Sequence, residues 1–91
     1  MGFRVTGFEW DEANVAHIAR HQVTPEECEE MFADRHLFAK ALDSKYNALG
    51  RTLAGRLLSI FFVIKPGRLV RVITAREMEH HERRRYRRQG T

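Results

Sequence analysis

The decisive stretch of this chain is Leu69-Val70-Arg71-Val72-Ile73-Thr74-Ala75-Arg76-Glu77-Met78-Glu79-His80-His81-Glu82-Arg83-Arg84-Arg85-Tyr86-Arg87-Arg88. Its first half is apolar and β-branched, which predicts a strand anchored in a folded core. Its second half is rich in arginine and pairs Glu79 with Arg83 four residues later, which predicts a helix. A folded core that presents positive charge favours a polyanionic partner, most simply nucleic acid.

The charge of the whole chain is divided unevenly along the sequence. The chain has 91 residues, a length typical of one domain, and a net charge of +4. Residues 1–45 carry five basic against nine acidic side chains, whereas residues 46–91 carry eleven against three. This division favours an oriented field, with one surface for a basic partner and another for phosphates. The alternative is that the halves of the sequence are not halves of the folded molecule.

Hydropathy and the number of cysteines indicate the cellular compartment to expect for this protein. No apolar run reaches about 18 residues, and the first residues have no apolar core of a signal peptide. Cys28 is the single cysteine, so no internal disulfide is possible. We therefore expect a cytoplasmic protein. Cys28 lies among glutamates, which raise a thiol pKa, so we expect a core residue rather than a nucleophile.

The first third of the chain predicts an edge strand and two helices. Residues 3–10 alternate loosely and indicate the strand. Asp11 is a suitable N-cap for the first helix. Thr24, Pro25 and Glu27 form the clearest helix start in the chain, with a capping box and a proline at the first helical position.

The rest of the chain predicts strands and a final helix. The candidate strands are residues 36–42, 46–53, 56–64 and 69–74, and the helix covers about 76–88. Lys65-Pro66-Gly67-Arg68 has the residues of a type II turn, which joins the last two strands as a hairpin. The pattern predicts one α+β domain over residues 1–91, with a mostly antiparallel sheet of about four strands, two N-terminal helices and a C-terminal helix.

Five short motifs carry a family resemblance that covers roughly residues 7–88. They are Phe8-Glu9-Trp10-Asp11, Arg20-His21-x-Val23, Leu49-Gly50-Arg51, Ile73-Thr74-Ala75-Arg76 and Glu82-Arg83-Arg84-Arg85-Tyr86. In this order and spacing they resemble the BrnT toxins of BrnT/BrnA type II toxin–antitoxin systems. The resemblance implies a RelE-like fold and a small ribonuclease that cleaves RNA and inhibits translation. It also implies a ribbon–helix–helix antitoxin (BrnA-like) as partner, with operator DNA bound only through the antitoxin complex.

Two departures from the family pattern bear on activity. Gln22 stands where the family usually has glycine, which affects a turn. Asp43-Ser44-Lys45 is a short segment where many members carry a longer acidic loop with a histidine. These departures keep open an alternative function, in which the chain is a weak or inactive relative that only binds an antitoxin or nucleic acid.

Arginine is the residue type best suited to stabilise the reacting phosphate. RNA cleavage without a metal uses the 2′-hydroxyl as nucleophile and builds negative charge on the phosphate. Arg51, in a strand, and Arg76, at the end of one, are the candidates, since a guanidinium stays charged and pairs with two oxygens. RelE-like toxins place basic residues at such positions. The alternative for each is an exposed arginine or a structural ion pair.

The acid and the base are harder to assign. Histidine titrates nearest neutrality, and His21 lies in one of the five motifs. It also lies near a helix C-terminus, so a capping role is equally open. Glu82 is the other catalytic candidate, because RelE-like toxins use residues of the final helix in catalysis or RNA contact.

The remaining basic residues are expected to bind RNA rather than to cut it. The expected contacts are Arg83, Arg84, Arg87, Tyr86 and Lys45. The alternative is an ordinary solvated helix face. His17 and His21 have a helical i, i+4 spacing that could hold a metal, but no third ligand is evident, and we expect neither a metal nor another cofactor.

Overall fold

A five-stranded sheet lies at the centre of the computed structural model, which describes residues 5–34, 36–41 and 43–90. The elements in chain order are β1 (Gly7–Phe8), α1 (Glu12–Ala19), α2 (Pro25–Ala33), β2 (Leu37–Lys40), β3 (Tyr46–Arg51), β4 (Leu57–Lys65), β5 (Leu69–Glu77) and α3 (His80–Gly90). The strand order across the sheet is β1-β5-β4-β3-β2. The α+β class, the two N-terminal helices and the C-terminal helix are therefore confirmed.

The strand count and the strand directions differ from the prediction of about four mostly antiparallel strands. The sheet has five strands and is mixed, because β1 pairs in parallel with β5 through Gly7–Leu69 and Phe8–Val70. The other neighbours are antiparallel. The two residues of β1 owe their strand conformation to β5, and no local pattern reveals such a long-range pairing. Phe3 and Arg4, where the edge strand was expected to begin, lie outside the described residues.

Strand β5 is longer than the apolar pattern predicted, and helix α3 starts later. The strand continues to Glu77, and Arg76 is paired with Ser59 across the β4–β5 ladder. The final helix begins at His80 rather than near residue 76. Ladder pairing with β4 holds the polar end of β5 extended, which overrides its helical composition. The predicted strand at residues 36–42 is present as Leu37–Lys40, and Leu42 lies outside the described residues.

Both N-terminal helices begin at the predicted caps. The Asp11 carboxylate accepts a hydrogen bond from the Asn14 N–H (3.2 Å), and the Asn14 side chain accepts one from the Asp11 N–H (2.8 Å). The capping box of the second helix is confirmed, because Thr24 and Glu27 exchange bonds of 3.1 and 3.2 Å. Local capping chemistry therefore determines where these helices start.

One face of the sheet packs against α1 and α2 and holds the main core. Ile18 and Met31 from these helices are fully buried against strand residues such as Ile60 and Phe62. The helix approaches the sheet closely at Gly50, where an added Cβ would lie 2.6 Å from the Met31 Cγ. We call this the core face. The opposite face, which bears Ser59 and Arg76 and is crossed by α3, is called the α3 face below.

A β-bulge in β5 decides which side chains reach the α3 face. Phe61 pairs with Thr74, but Phe62 pairs with Val72, which leaves Ile73 unpaired in the described β4–β5 ladder. Without this extra residue, Arg76 would share the face of Val72, because strand side chains alternate with a period of two. With the bulge, Ala75 lies in the core and Arg76 lies opposite Ser59 on the α3 face.

Candidate active site and basic surface

The centre of the candidate site is a bidentate ion pair between Arg76 and Glu82. The Arg76 Nη1 donates to the Glu82 Oε1 at 2.7 Å, and the Nη2 donates to the Oε2 at 3.1 Å. The Glu82 side chain is only 8% exposed, whereas the Arg76 side chain is 27% exposed. The pair thus joins the end of β5 to the first turn of α3 and leaves part of the guanidinium facing solvent.

Glu82 is held by further hydrogen bonds at each oxygen. Its Oε1 also accepts from the Glu79 N–H (2.8 Å), so Glu82 caps the helix that carries it. Its Oε2 accepts from the Ser59 hydroxyl (3.1 Å), and Ser59 in turn accepts from the Asn47 Nδ2 (3.0 Å). A buried polar chain of Asn47, Ser59 and Glu82 therefore supports the exposed arginine.

The environment keeps both partners of the ion pair charged. Burial alone would raise the pKa of Glu82, but hydrogen bonds from Arg76, from the Glu79 N–H and from Ser59 outweigh it and hold that pKa below its ordinary value. The hydrogen bonds that Arg76 donates to Glu82 likewise raise the pKa of Arg76. Glu82 thus carries no proton near neutral pH, so the geometry favours a role in orienting Arg76 over the role of a general acid.

A shallow cleft of about 360 Å³ brings Arg76 together with His21. It is lined by Arg20, His21, Gln22, Arg56, Arg76 and Glu77. These residues come from the end of α1, the start of β4 and the end of β5, which lie far apart in the sequence. Two of the four residues predicted to be catalytic therefore line the same cleft, and Glu82 supports it through Arg76.

The chain enters this cleft through a tight turn after α1. The Val23 N–H donates to the Ile18 carbonyl and the Gln22 N–H donates to the Ala19 carbonyl, which is the pattern of a Schellman motif. Gln22 occupies the left-handed position of this motif with φ 57°. A positive φ explains why the family usually has glycine at this position. Gln22 nevertheless adopts the same conformation and preserves the turn that presents His21.

Arg56 is a structural member of the site that sequence reasoning missed. Its Nη1 donates to the Gln22 carbonyl (2.7 Å) and to the Glu27 carboxylate (2.9 Å), and its Nη2 donates to Glu77 (3.2 Å). The hydrogen bond that Arg56 donates to Glu27 is the main reason that the pKa of Arg56 is raised. A basic residue just before a continuously apolar strand was the only local signal of this role.

Arg51 lies apart from the cleft. It ends β3, its side chain is 60% exposed, and its Nε lies 3.5 Å from the Asp34 carboxylate. An exposed ion pair of this length contributes little stability. Among the residues that the structure describes, Arg51 does not line the cleft that holds Arg76 and His21.

The five residues predicted to contact RNA occupy two different places. On α3, Arg84 and Arg87 are exposed and Tyr86 is half-buried. Arg83 donates to the Met78 carbonyl at 2.6 Å and so joins its helix to the segment between β5 and α3. Lys45 lies at the β2–β3 turn, far along the sequence from α3.

Within the described residues, no three His, Cys, Asp or Glu side chains form a cluster suited to a metal ion.

Comparisons with known proteins bear on the identity of the chain. A family described as "Ribonuclease toxin, BrnT, of type II toxin-antitoxin system" matches residues 10–82, which is well over half of the chain. A search of curated proteins found no match. No helix in the described part of the chain combines the length and apolar character needed to cross a membrane. The matched segment begins at Trp10, next to the cap of α1, and ends at Glu82 of α3. Because it covers well over half of the chain, the chain belongs to the BrnT family of ribonuclease toxins of type II toxin–antitoxin systems.

Proposed function

We propose that this protein is a metal-independent endoribonuclease in which Arg76 stabilises the reacting phosphate. The observation that carries the proposal is that Arg76 and His21 line one cleft, while the buried Glu82 orients the Arg76 guanidinium. Within the described residues, its hydrogen bonds use three of the five guanidinium N–H groups. The Nε–H and one Nη2–H therefore stay available for phosphate oxygens.

The proposed reaction is an internal transfer within the RNA. The 2′-oxygen loses its proton and attacks the adjacent phosphorus, the bond from phosphorus to the 5′-oxygen breaks, and the leaving 5′-oxygen takes a proton. The products are a 2′,3′-cyclic phosphate and a free 5′-hydroxyl. Arg76 neutralises the charge that grows on the non-bridging oxygens. We assign the transfer of one of the two protons to His21, an imidazole that lines the cleft.

The other predicted residues serve binding in this proposal. Arg51, Arg84 and Arg87 are exposed and can contact the RNA backbone at a distance from the reacting phosphate. The substrate is cytoplasmic RNA, its cleavage inhibits translation, and a ribbon–helix–helix antitoxin neutralises the toxin. These three statements rest on the family resemblance, and the antitoxin is expected to cover the cleft or to displace the RNA.

RNA cleavage by purified variants tests the proposal. Arg76→Ala should lower the cleavage rate by roughly 100- to 1,000-fold, the usual cost of one lost donor to a developing oxyanion. Arg76→Lys should restore only part of the rate, because a lysine cannot pair with two oxygens at once. Arg68→Ala removes the same charge from the exposed β4–β5 turn and should leave the rate unchanged.

The identity of the RNA ends and the cellular effect complete this test. Products with 2′,3′-cyclic phosphate ends and growth arrest on expression support the proposal. Cleavage by Arg76→Ala at the wild-type rate, or products with 5′-phosphate ends, would contradict it.

A second candidate function is a binding module without catalysis. The ion pair between Arg76 and Glu82 favours this function, because two donors of Arg76 are bound to Glu82 and cannot contact a reacting phosphate. If this function is correct, the purified protein leaves RNA intact and expression is harmless, while binding to RNA or to the antitoxin persists.

A further inference from the structure

Phe61 is an aromatic side chain in the central strand β4 that is only half-buried. Its neighbour Phe62 points to the core face, is fully buried and packs edge-on against Phe32. Phe61 points to the α3 face and is not part of the hydrophobic core cluster. The exposed part of its ring lies on the same sheet face as Arg76, where a planar group can contact it.

The Phe61 ring contacts Arg76 of the candidate active site. The Arg76 guanidinium carbon lies 5.6 Å from the ring centroid, in the range of a cation–π contact. In the β4–β5 ladder Arg76 pairs with Ser59, two residues before Phe61. Two residues span about 6.8 Å along a strand, so the ring lies next to the phosphate position that Arg76 defines.

The ring also lines a second pocket that is separate from the cleft. This pocket has a volume of about 670 Å³ and is lined by Lys40, Ala41, Asp43, Lys45 and Phe61. The Ala41 N–H donates to the Lys45 carbonyl at 2.8 Å, and left-handed backbone at Asp43 and Ser44 closes the turn between β2 and β3. The turn thereby holds Asp43 and Lys45 at the edge of the pocket that the ring lines.

We propose that Phe61 stacks a base of single-stranded RNA while Lys45 contacts the neighbouring phosphate. The inference deepens the proposed function and rests on it, because the stacked base would belong to a nucleotide next to the one held by Arg76. Proteins that bind single-stranded nucleic acid without strong sequence preference stack its bases on aromatic rings and contact its phosphates with nearby basic side chains. Lys45 and Arg76 supply positive charge for an RNA phosphate, and the exposed part of the ring suits a base, which an acidic protein segment does not provide.

Binding to an RNA that cannot be cleaved separates this inference from catalysis. The probe is a short mixed-sequence oligoribonucleotide with 2′-O-methyl groups, followed by fluorescence anisotropy. Phe61→Leu keeps an apolar side chain of similar size and should weaken binding by about 5- to 150-fold, the range measured for loss of one stacked base. Phe61→Tyr keeps the ring and should bind within about threefold of the wild type.

Salt dependence and a matched control sharpen the test. Phe61→Leu removes no charge, so the slope of log affinity against log salt should not change, whereas Lys45→Ala should reduce it by about 0.7. Phe38→Leu is the matched control, since Phe38 lies on the edge strand β2 and packs against Phe62 of the core face. This control should bind RNA as the wild type does.

The outcomes distinguish the inference from the proposed function. Wild-type affinity in Phe61→Leu, with the fold confirmed by its urea unfolding curve, would overturn the inference. Unchanged RNA affinity with weakened antitoxin binding would also overturn it and would assign the ring to a protein interface. If the wild type cleaves no natural RNA but Phe61→Leu still loses affinity for the probe, the proposed catalysis fails and the stacking site stands.

Discussion

Replacement of Glu82 by glutamine is the sharpest test of how the site is held. Glu82 accepts four hydrogen bonds, two from Arg76 and one each from the Glu79 N–H and the Ser59 hydroxyl. Glutamine has the same shape but only one acceptor oxygen. Its amide nitrogen would face a donor of Arg76, so at least one charge-assisted hydrogen bond is lost.

The expected loss of stability follows from these contacts. A hydrogen bond to a charged group contributes about 1.5–3 kcal/mol, and Arg76 also loses its counter-charge at a partly buried position. We expect the free energy of unfolding to fall by roughly 2–4 kcal/mol. A domain of this size has about 5–14 kcal/mol of stability, so the variant stays folded at neutral pH with a Tm lowered by roughly 10–30 °C.

Urea unfolding followed by tryptophan fluorescence measures this loss. Trp10 is the single tryptophan, and its Nε1 donates to Glu29 of α2 at 2.8 Å, so its signal reports the packing of the N-terminal segment. Glu79→Gln is the matched control. It removes the same charge from the same turn, but its side chain is exposed, and we expect a change within about 0.5 kcal/mol.

The pH dependence gives the experiment a second readout. The pKa of Glu82 in the folded protein lies below the ordinary value of 4.5, so its ionised form stabilises the fold at any pH above that value. This contribution is lost as the pH falls through the lowered pKa. The difference in unfolding free energy between wild type and Glu82→Gln should therefore be constant above about pH 5 and shrink below it.

Two results would refute the reasoning about Glu82. One is a loss below about 1 kcal/mol with an unchanged denaturant slope, which would mean that the ion pair contributes little. The other is a difference that grows on acidification, which would mean that Glu82 is protonated in the folded protein. A double-mutant cycle with Arg76→Gln should give a coupling energy above about 1 kcal/mol.

Three further predictions follow from backbone strain, packing and burial. Gln22→Gly should raise stability by about 0.5–1 kcal/mol, because Gln22 has φ 57°; a Tm that falls would contradict the strain. Gly50→Ala should cost about 1–3 kcal/mol in urea unfolding, since the new Cβ would lie 2.6 Å from the Met31 Cγ; an unchanged midpoint would show that Met31 moves freely. Burial raises the pKa of the Cys28 thiol to about 12, so a thiol reagent should label it only as the protein unfolds, and rapid labelling of the native protein would disagree.

The elements that local chemistry controls were predictable from the sequence. The capping box at Thr24 and Glu27 is a case, because its partners lie three residues apart and need no other part of the chain. The turn at residues 65–68 is another, since Gly67 adopts the positive φ expected of it (81°). Arg76 and His21 were named as candidates, but nothing local showed that they line one cleft.

The sequence by itself determined the helices that have caps, the hairpin turn and the basic character of the C-terminal half, because these depend on neighbouring residues or on composition. Only the tertiary structure decided what Arg76 does. The bulge at Ile73 turns Arg76 onto the α3 face, and Ser59 and Glu82 reach it from another strand and from the helix. Strand register and buried hydrogen bonds between distant residues depend on how the whole sheet pairs, so no window of the sequence contains them.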